Sequence, residues 1–145
     1  MSDPMGTEMA TLLSAVTHDP IEDLSLELLV CRKDDGAVVS FQGRVRDHDL
    51  GQPVDGLEYQ AHPRAEEYLA ECCDRISRDM KVRVAAAHRV GALTIGDLAL
   101  SVAVAAAHRR AAFLACEALV QSIKDTVPVW KRQHLSSGLS EWVGL

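Results

Sequence analysis

The sequence predicts an α+β fold, and three observations lead to that prediction. Two long stretches repeat apolar residues at three- and four-residue steps, as amphipathic helices do, whereas five shorter stretches are rich in β-branched and small apolar residues, as strands are. Strand and helix patterns interleave along the chain, and the loops between successive apparent strands are short, which favours α+β over a doubly wound parallel sheet. With 145 residues, 48% of them apolar, the chain is long enough for one domain with a sizeable core.

The N-terminal region carries the weakest patterns. Residues 1–15 show no periodicity and begin with Ser, Asp, Pro and Gly, so we predict a flexible leader there. A short helix is predicted after Asp19, which can serve as its N-cap, because Ile21, Leu24 and Leu28 recur near helical spacing. The five predicted strands cover residues 37–45, 57–61, 82–90, 99–106 and 129–135.

The two long helices are predicted over residues 64–80 and 109–125. Pro128 prevents the second helix from continuing, because proline has no amide hydrogen and its ring clashes with the preceding turn. The preceding strand, 99–106, has small or apolar residues on both faces, so we expect it to be buried on both sides. Residues 136–145 are read as a Ser- and Gly-rich tail, which leaves 16–135 as the folded domain.

The overall charge excludes several classes of function. A net charge of −6 argues against broad nucleic-acid binding, which needs a basic surface. No apolar run is long enough to cross a bilayer, and the first residues lack the basic start of a secretory signal, so a cytoplasmic location is expected. Neither a phosphate-binding glycine loop nor a G-x-S-x-G elbow is present. No cofactor is predicted.

The four cysteines do not form a metal-binding pattern. Cys31, Cys72, Cys73 and Cys116 include no C-x-x-C pair, so no metal site is predicted and reduced, half-buried thiols are the simplest interpretation. A sulfur-carrying cysteine, at Cys116 or Cys72, stays open as an alternative.

A set of cationic side chains is the strongest functional signal in this acidic chain. Alternation along the first strand puts Arg44 and Arg46 on one face and Val45 on the other, where two arginines could bind an oxyanion. An ordinary solvated strand edge explains the same spacing and is favoured on spacing alone. Only four lysines occur, and Lys124 and Lys131 are two of them. The helix dipole alone would explain Lys124, and Lys131 could be an exposed strand residue.

The second long helix carries cations at both ends. His108 and Arg109 begin it, where positive charge opposes the helix dipole, so their placement hints weakly at function. Arg109 and Lys124 lie about 22 Å apart on one straight helix, so they cannot easily contact the same small ligand. Either they serve different sites, or a symmetric dimer brings His108 and Arg109 of one copy towards Lys124 and Lys131 of the other.

Several separated motifs, in order, resemble the large, catalytic subunit of molybdopterin synthase, the MoaE family. The resemblance covers about residues 16 to 131 and rests on segments 36–46, 88–91, 96–97 and 107–109 and on Lys124 followed by 128–131. It implies a two-layer α/β hammerhead fold with an additional small antiparallel β subdomain. It also implies a homodimer of large subunits at the centre of a heterotetramer.

The resemblance implies a sulfurtransferase activity. Cyclic pyranopterin monophosphate would receive two sulfur atoms and become molybdopterin, the dithiolene ligand of the molybdenum cofactor. The sulfur would arrive as a thiocarboxylate on the C-terminal Gly-Gly of a small ubiquitin-like partner subunit, so no cysteine of this chain would be required.

The resemblance also implies the roles of individual residues. Lys124 corresponds to the lysine regarded as central to catalysis and Lys131 to the second active-site lysine, with roles that could be exchanged. Gln133 stands where the family usually has an acid, and Gln60 replaces a common Glu. The implied substrate-binding residues are Arg44, Val45, Arg46, His108, Arg109, Arg132 and Gln133.

Two other functions remain as alternatives to this one. A non-catalytic, dimeric anion-binding or scaffold protein would keep the basic pocket without the reaction. A thiol sulfurtransferase would act through Cys116 or Cys72.

Overall fold

The chain folds as α+β, as the sequence predicts. A computed structural model describes residues 10–138 and 140–144. That part contains three helices and nine strands, and the strands form two sheets. The helices are α1 (Leu26–Val30), α2 (Ala65–Met80) and α3 (Arg109–Thr126). The strands are β1 (Ala10–Thr17), β2 (Ala37–Arg44), β3 (His48–Asp49), β4 (Gln52–Ala61), β5 (Arg83–Arg89), β6 (Gly91–Thr94), β7 (Leu98–Ala106), β8 (Val129–Leu135) and β9 (Ser140–Gly144).

The main sheet has the strand order β1-β5-β7-β2. β1 runs parallel to β5, and the other pairs are antiparallel. α2 and α3 pack side by side on one face of this sheet, which makes the two-layer α/β body. The short helix α1 lies on the other face, against β5 and β7.

β7 is buried on both faces, as its composition predicts. Val102 and Val104 point into the larger core under α2 and α3, whereas Ala103 and Ala105 face α1. Burying each valine side chain contributes about 1.5–3 kcal/mol to folding. Alanine takes up less space than valine, so the short helix can pack closely on the α1 side of the sheet.

A second sheet forms the additional antiparallel β subdomain. Its order is β3-β4-β8-β9, and β6 pairs with β4. It has a small core of its own, in which Val45, Val54, Leu57 and Leu93 are buried. β2 leads from the main sheet into this subdomain, so the two sheets meet at the C-terminal end of β2.

The prediction of a flexible leader over 1–15 was wrong in its second half. β1 begins at Ala10 and pairs with β5 from Ala10↔Arg83 to Thr17↔Arg89. This pairing joins segments far apart in sequence, so local periodicity could not indicate it. Residues 1–9 lie outside the described residues.

Three further elements differ from the sequence-based predictions. The short helix begins after Ser25 rather than after Asp19. The link after β5 contains β6, and the tail after Leu135 contains β9, which pairs with β8 from Trp130 to His134. Strands this short are stabilised by their partners rather than by their own composition. None of the helices in the described part is long and apolar enough to cross a membrane.

Candidate active site

A cavity of about 270 Å³ opens where the two sheets meet the C-terminal end of α3. Its walls combine cationic side chains with an apolar floor, so it suits a ligand that carries both an anionic group and an apolar or aromatic body. Residues from both sheets and from α3 line it: Phe41, Gly43, Arg44, Val45, Arg46, His48, Asp49, Val54, Leu57, Tyr59, His88, Ala99, Leu100, Lys124, Lys131 and Gln133.

The end of β2 supplies the two arginines. The register of β2 against β7 shifts between Gly43 and Arg44, and such a bulge re-aims the side chains that follow it. Arg44 donates from Nη1 to the carbonyl of Gly96 at 2.8 Å and from Nη2 to Oε1 of Gln42 at 3.0 Å. Both acceptors are neutral, so these bonds orient the guanidinium without cancelling its charge. Arg44 and Arg46 are exposed, whereas Val45 between them is buried, as strand alternation predicts.

The two lysines reach the same cavity from different elements. Lys124 lies in the last turn of α3, and Lys131 is half-buried on β8. Pro128 ends the helix, and its carbonyl accepts a hydrogen bond from the amide of His62 at 3.0 Å, which holds the connection against the second sheet. None of the ion pairs found within the described residues involves either lysine, so both ammonium groups are available to an anionic ligand.

His88 is a cavity residue to which sequence reasoning assigned no role. It is 2% exposed, and its Nδ1 donates to the carbonyl of Arg89 at 2.8 Å, which leaves Nε2 as an acceptor. Its ring makes an edge contact with Tyr59, with centroids 5.0 Å apart. Burial lowers the pKa of His88, and the charge of Lys124 lowers it further. The only signal in the sequence was a histidine that directly follows a run of small apolar residues, Val84 to Ala87.

Gln133 and Asp49 form a hydrogen-bonded pair in the cavity wall. Gln133 is 2% exposed and donates from Nε2 to Oδ2 of Asp49 at 2.7 Å. Its Oε1 is buried and accepts no hydrogen bond from any described residue. Asp49, like His48 and Tyr59, was not among the predicted site residues, because only the folded chain brings it near β8.

Three predicted site residues lie outside this cavity. His108 and Arg109 are exposed at the N-terminal end of α3, as the helix length predicts for a single chain. Arg132 alternates with its neighbours Lys131 and Gln133 along β8 and therefore points to the other face of the sheet. There its guanidinium lies 5.8 Å from the centre of the Trp142 ring. Within one chain, Arg132 is a stacking partner of β9 and not a wall of the cavity.

Comparison with known proteins identifies the family. The model of the family described as MoaE protein matches residues 16–126, which is most of the chain. The chain belongs to the MoaE protein family. It is 37% identical over 134 residues to molybdopterin synthase catalytic subunit 1 of Mycobacterium tuberculosis, with 89% of this chain and 88% of that protein covered. It is 39% identical over 128 residues to the molybdopterin synthase catalytic subunit of Vibrio cholerae, with 84% and 85% covered.

The MoaE fold is also seen in solved structures. The crystal structure of molybdopterin synthase from Staphylococcus aureus superposes with a TM-score of 0.81 at 33% identity and covers 95% of this chain and 98% of that chain. The MoaE protein from Burkholderia ambifaria superposes with a TM-score of 0.72 at 29% identity, covering 90% and 87%. These similarities confirm the α+β architecture with its added β subdomain.

The cysteines of this MoaE protein are not part of the cavity wall. None of the four lines it. Burial raises the pKa of Cys73 to about 12 and also raises that of Cys116. Sγ of Cys72 lies 3.0 Å from Oγ1 of Thr126, and that hydroxyl donates to the carbonyl of Ser122. Within the described part, no group of three or more His, Cys, Asp or Glu side chains could hold a metal ion.

Proposed function

We propose that this chain is the catalytic subunit of a molybdopterin synthase. It would convert cyclic pyranopterin monophosphate to molybdopterin with sulfur from the thiocarboxylated C-terminus of a small ubiquitin-like subunit. The observation that carries this proposal is the cavity of a MoaE protein in which Arg44, Arg46, Lys124 and Lys131 converge without a carboxylate ion-pair partner among the described residues.

The cavity chemistry supports a phosphorylated pterin as substrate. Arginine forks and lysine ammonium groups bind phosphate oxygens, and Phe41, Leu57 and Tyr59 offer apolar surface to a planar ring. In each sulfur transfer, a carbon–sulfur bond on the carrier tail breaks and one on the substrate forms. Water converts the acyl group of the tail to a carboxylate, and the oxygen that sulfur replaces leaves as hydroxide or stays on the phosphate group, so the exchange needs no electron acceptor. Two carrier tails are consumed for each dithiolene.

The two lysines would have different roles in the reaction. Lys124 would activate or covalently hold the intermediate, and Lys131 would bind anionic oxygen and transfer protons, although these roles could be exchanged. A lysine becomes nucleophilic when neighbouring cations or burial favour its neutral form. Arg44 and Arg46 supply neighbouring positive charge in the same cavity.

A second copy of the chain would complete the site. His108 and Arg109 lie exposed at the opposite end of α3 from Lys124, and no ion pair among the described residues involves them. We infer that a homodimer at the centre of a heterotetramer carries these side chains to the partner's cavity, where they add phosphate donors. The small subunit would deliver its Gly-Gly tail from the open side.

A conversion assay tests the proposal. Purified chain, small partner subunit carrying a C-terminal thiocarboxylate and cyclic pyranopterin monophosphate are mixed, and the dithiolene product is measured. Product that depends on all three components supports the proposal. Tight binding of the pyranopterin without product, from an active partner preparation, would instead favour an anion-binding or scaffold protein.

A further inference from the structure

The Asp49–Gln133 pair carries an inference about how the substrate is recognised. The two residues are 84 positions apart, on β3 and β8, yet Nε2 of Gln133 lies 2.7 Å from Oδ2 of Asp49. Both side chains line the cavity that holds the two lysines. The contact therefore places one carboxylate and one amide side by side in the wall of the proposed active site.

Both members of the pair have acceptor capacity left over. Oε1 of Gln133 is buried and has no donor among the described residues, which is unfavourable unless a ligand supplies one. A carboxylate only accepts hydrogen bonds and can take about four, whereas the hydrogen bonds found within the described residues give Asp49 one. Apart from the second N–H of the Gln133 amide, the pair thus presents acceptors to whatever enters the cavity.

The charge of the pair also contrasts with the rest of the wall. Arg44, Arg46, Lys124 and Lys131 are cationic, and Asp49 is the one carboxylate among the residues that line the cavity. A ligand bound only through phosphate would gain nothing from a carboxylate there. A ligand with an anionic group at one end and N–H donors at the other would use both parts of the wall.

We propose that Asp49, held in place by Gln133, binds the N–H donor edge of the substrate's pterin ring. The inference rests on the proposed function, because a pterin carries a ring N–H beside an exocyclic amino group, and two parallel donors suit the two oxygens of a carboxylate.

The proposal predicts a particular pattern in a double-mutant cycle. Asp49→Asn removes the charge, and Gln133→Glu sets a second carboxylate against the first. Each single variant should weaken binding of cyclic pyranopterin monophosphate about tenfold, the cost of one charge-assisted hydrogen bond. The double variant, Asp49→Asn with Gln133→Glu, moves the carboxylate from β3 to β8. Its dissociation constant should be within about threefold of the wild-type value. Binding is measured by titration calorimetry on the full chain.

Two controls separate recognition of the ring from other effects. Inorganic phosphate should bind wild type and the double variant equally, because its contacts are to the cations and the net charge of the cavity is the same in both. Gln121 donates to Asp125 at 2.9 Å in an exposed pair on α3, so the swap Gln121→Glu with Asp125→Asn repeats the chemistry away from the cavity and should change nothing. Thermal melting of each variant establishes that it is folded.

The outcomes distinguish this inference from the proposed function. Wild-type affinity in Asp49→Asn, or a double variant as weak as the singles, would overturn the recognition of the ring by this pair while wild type still makes product. A wild-type chain that neither binds nor converts the pyranopterin would overturn the proposed function itself, and the inference with it.

Discussion

The two ends of α3 carry similar cations in opposite physical settings. At its C-terminal end Lys124 is favoured by the helix dipole and lies in the cavity with Lys131. At its N-terminal end His108 and Arg109 oppose the dipole, and the first turn has no acidic residue to offset them. A cation in a favourable position needs no function to explain it, whereas a pair in an unfavourable, exposed position does. The N-terminal end of α3, with His108 and Arg109, is therefore the end whose cations point to a binding partner.

The largest expected effect comes from the lysine end. Lys124→Ala should lower the rate of product formation by about 10²–10⁴-fold, because a group that transfers protons or holds an intermediate would be lost. Lys131→Ala should fall in the same range. Both variants should stay folded, because Lys124→Ala loses only the dipole contribution of about 0.3–1 kcal/mol and Lys131 is only half-buried. Activity close to wild type in Lys124→Ala would remove this end of the helix from the catalytic site.

The next test asks whether the two ends belong to one site. Arg109→Ala and Lys124→Ala chains, each inactive or weak alone, are co-expressed with different tags and the mixed dimer is purified. If sites are shared between copies, one of the two sites in the mixed dimer has both wild-type residues, and about half of the wild-type activity should return. No recovery in a verified mixed dimer would mean that His108 and Arg109 do not serve the partner's cavity.

Arg109 should also separate function from stability. Arg109→Ala should lower activity by weakening phosphate binding, and yet raise the free energy of unfolding by about 0.3–1 kcal/mol, because a charge that opposes the helix dipole is removed. Urea unfolding and the conversion assay measure the two effects. Arg110→Ala, the exposed neighbour, is the matched control: it should share the stabilisation without the loss of activity.

Near Lys124, at the C-terminal end of α3, His88 should make the stability of the fold depend on pH. Burial holds its folded-state pKa below the ordinary 6.5, so the unfolded chain takes up the proton first. Stability from this residue is therefore fully present above about pH 6.5 and is lost as the pH falls below that value. His88→Gln should flatten the fall in unfolding free energy between pH 7 and pH 5, which urea unfolding at a series of pH values measures.

The smallest effect is expected in the middle of α3. Replacing Cys116, together with the other three cysteines, by Ala should leave the rate of product formation unchanged, because none of them lines the cavity. Some loss of melting temperature is expected, since Cys72, Cys73 and Cys116 are buried. A folded variant without activity would favour a thiol route and contradict the lysine assignment.

Local patterns were sufficient for most of the secondary structure. The predicted helix over 64–80 is Ala65–Met80, the one over 109–125 is Arg109–Thr126, and the strand over 129–135 is Val129–Leu135. Each of these elements buries one face or both, so the spacing of its apolar residues alone indicates the element. β1 was missed because what stabilises it is its pairing with β5, some seventy residues away.

The sequence also identifies residues of the candidate site without showing how they come together. Arg44, Arg46, Lys124 and Lys131 stand out in the sequence as cations in an acidic chain, and the resemblance of the motifs around them names a family that the comparisons confirm. That the four side chains enter one cavity depends on how the end of β2, the end of α3 and β8 are packed together. No spacing along the chain encodes that convergence.

By itself, then, the sequence determined the family, the long helices, most strands and the identity of the cationic residues, because these depend on composition and on contacts along one element. Only the tertiary structure decided that Arg132 leaves the cavity while Gln133 stays in it, that His88 becomes a neutral acceptor beside Lys124, and that Asp49 meets Gln133. Each of these is a contact or an exclusion between elements distant in sequence, and its energy exists only once the two sheets and α3 are packed.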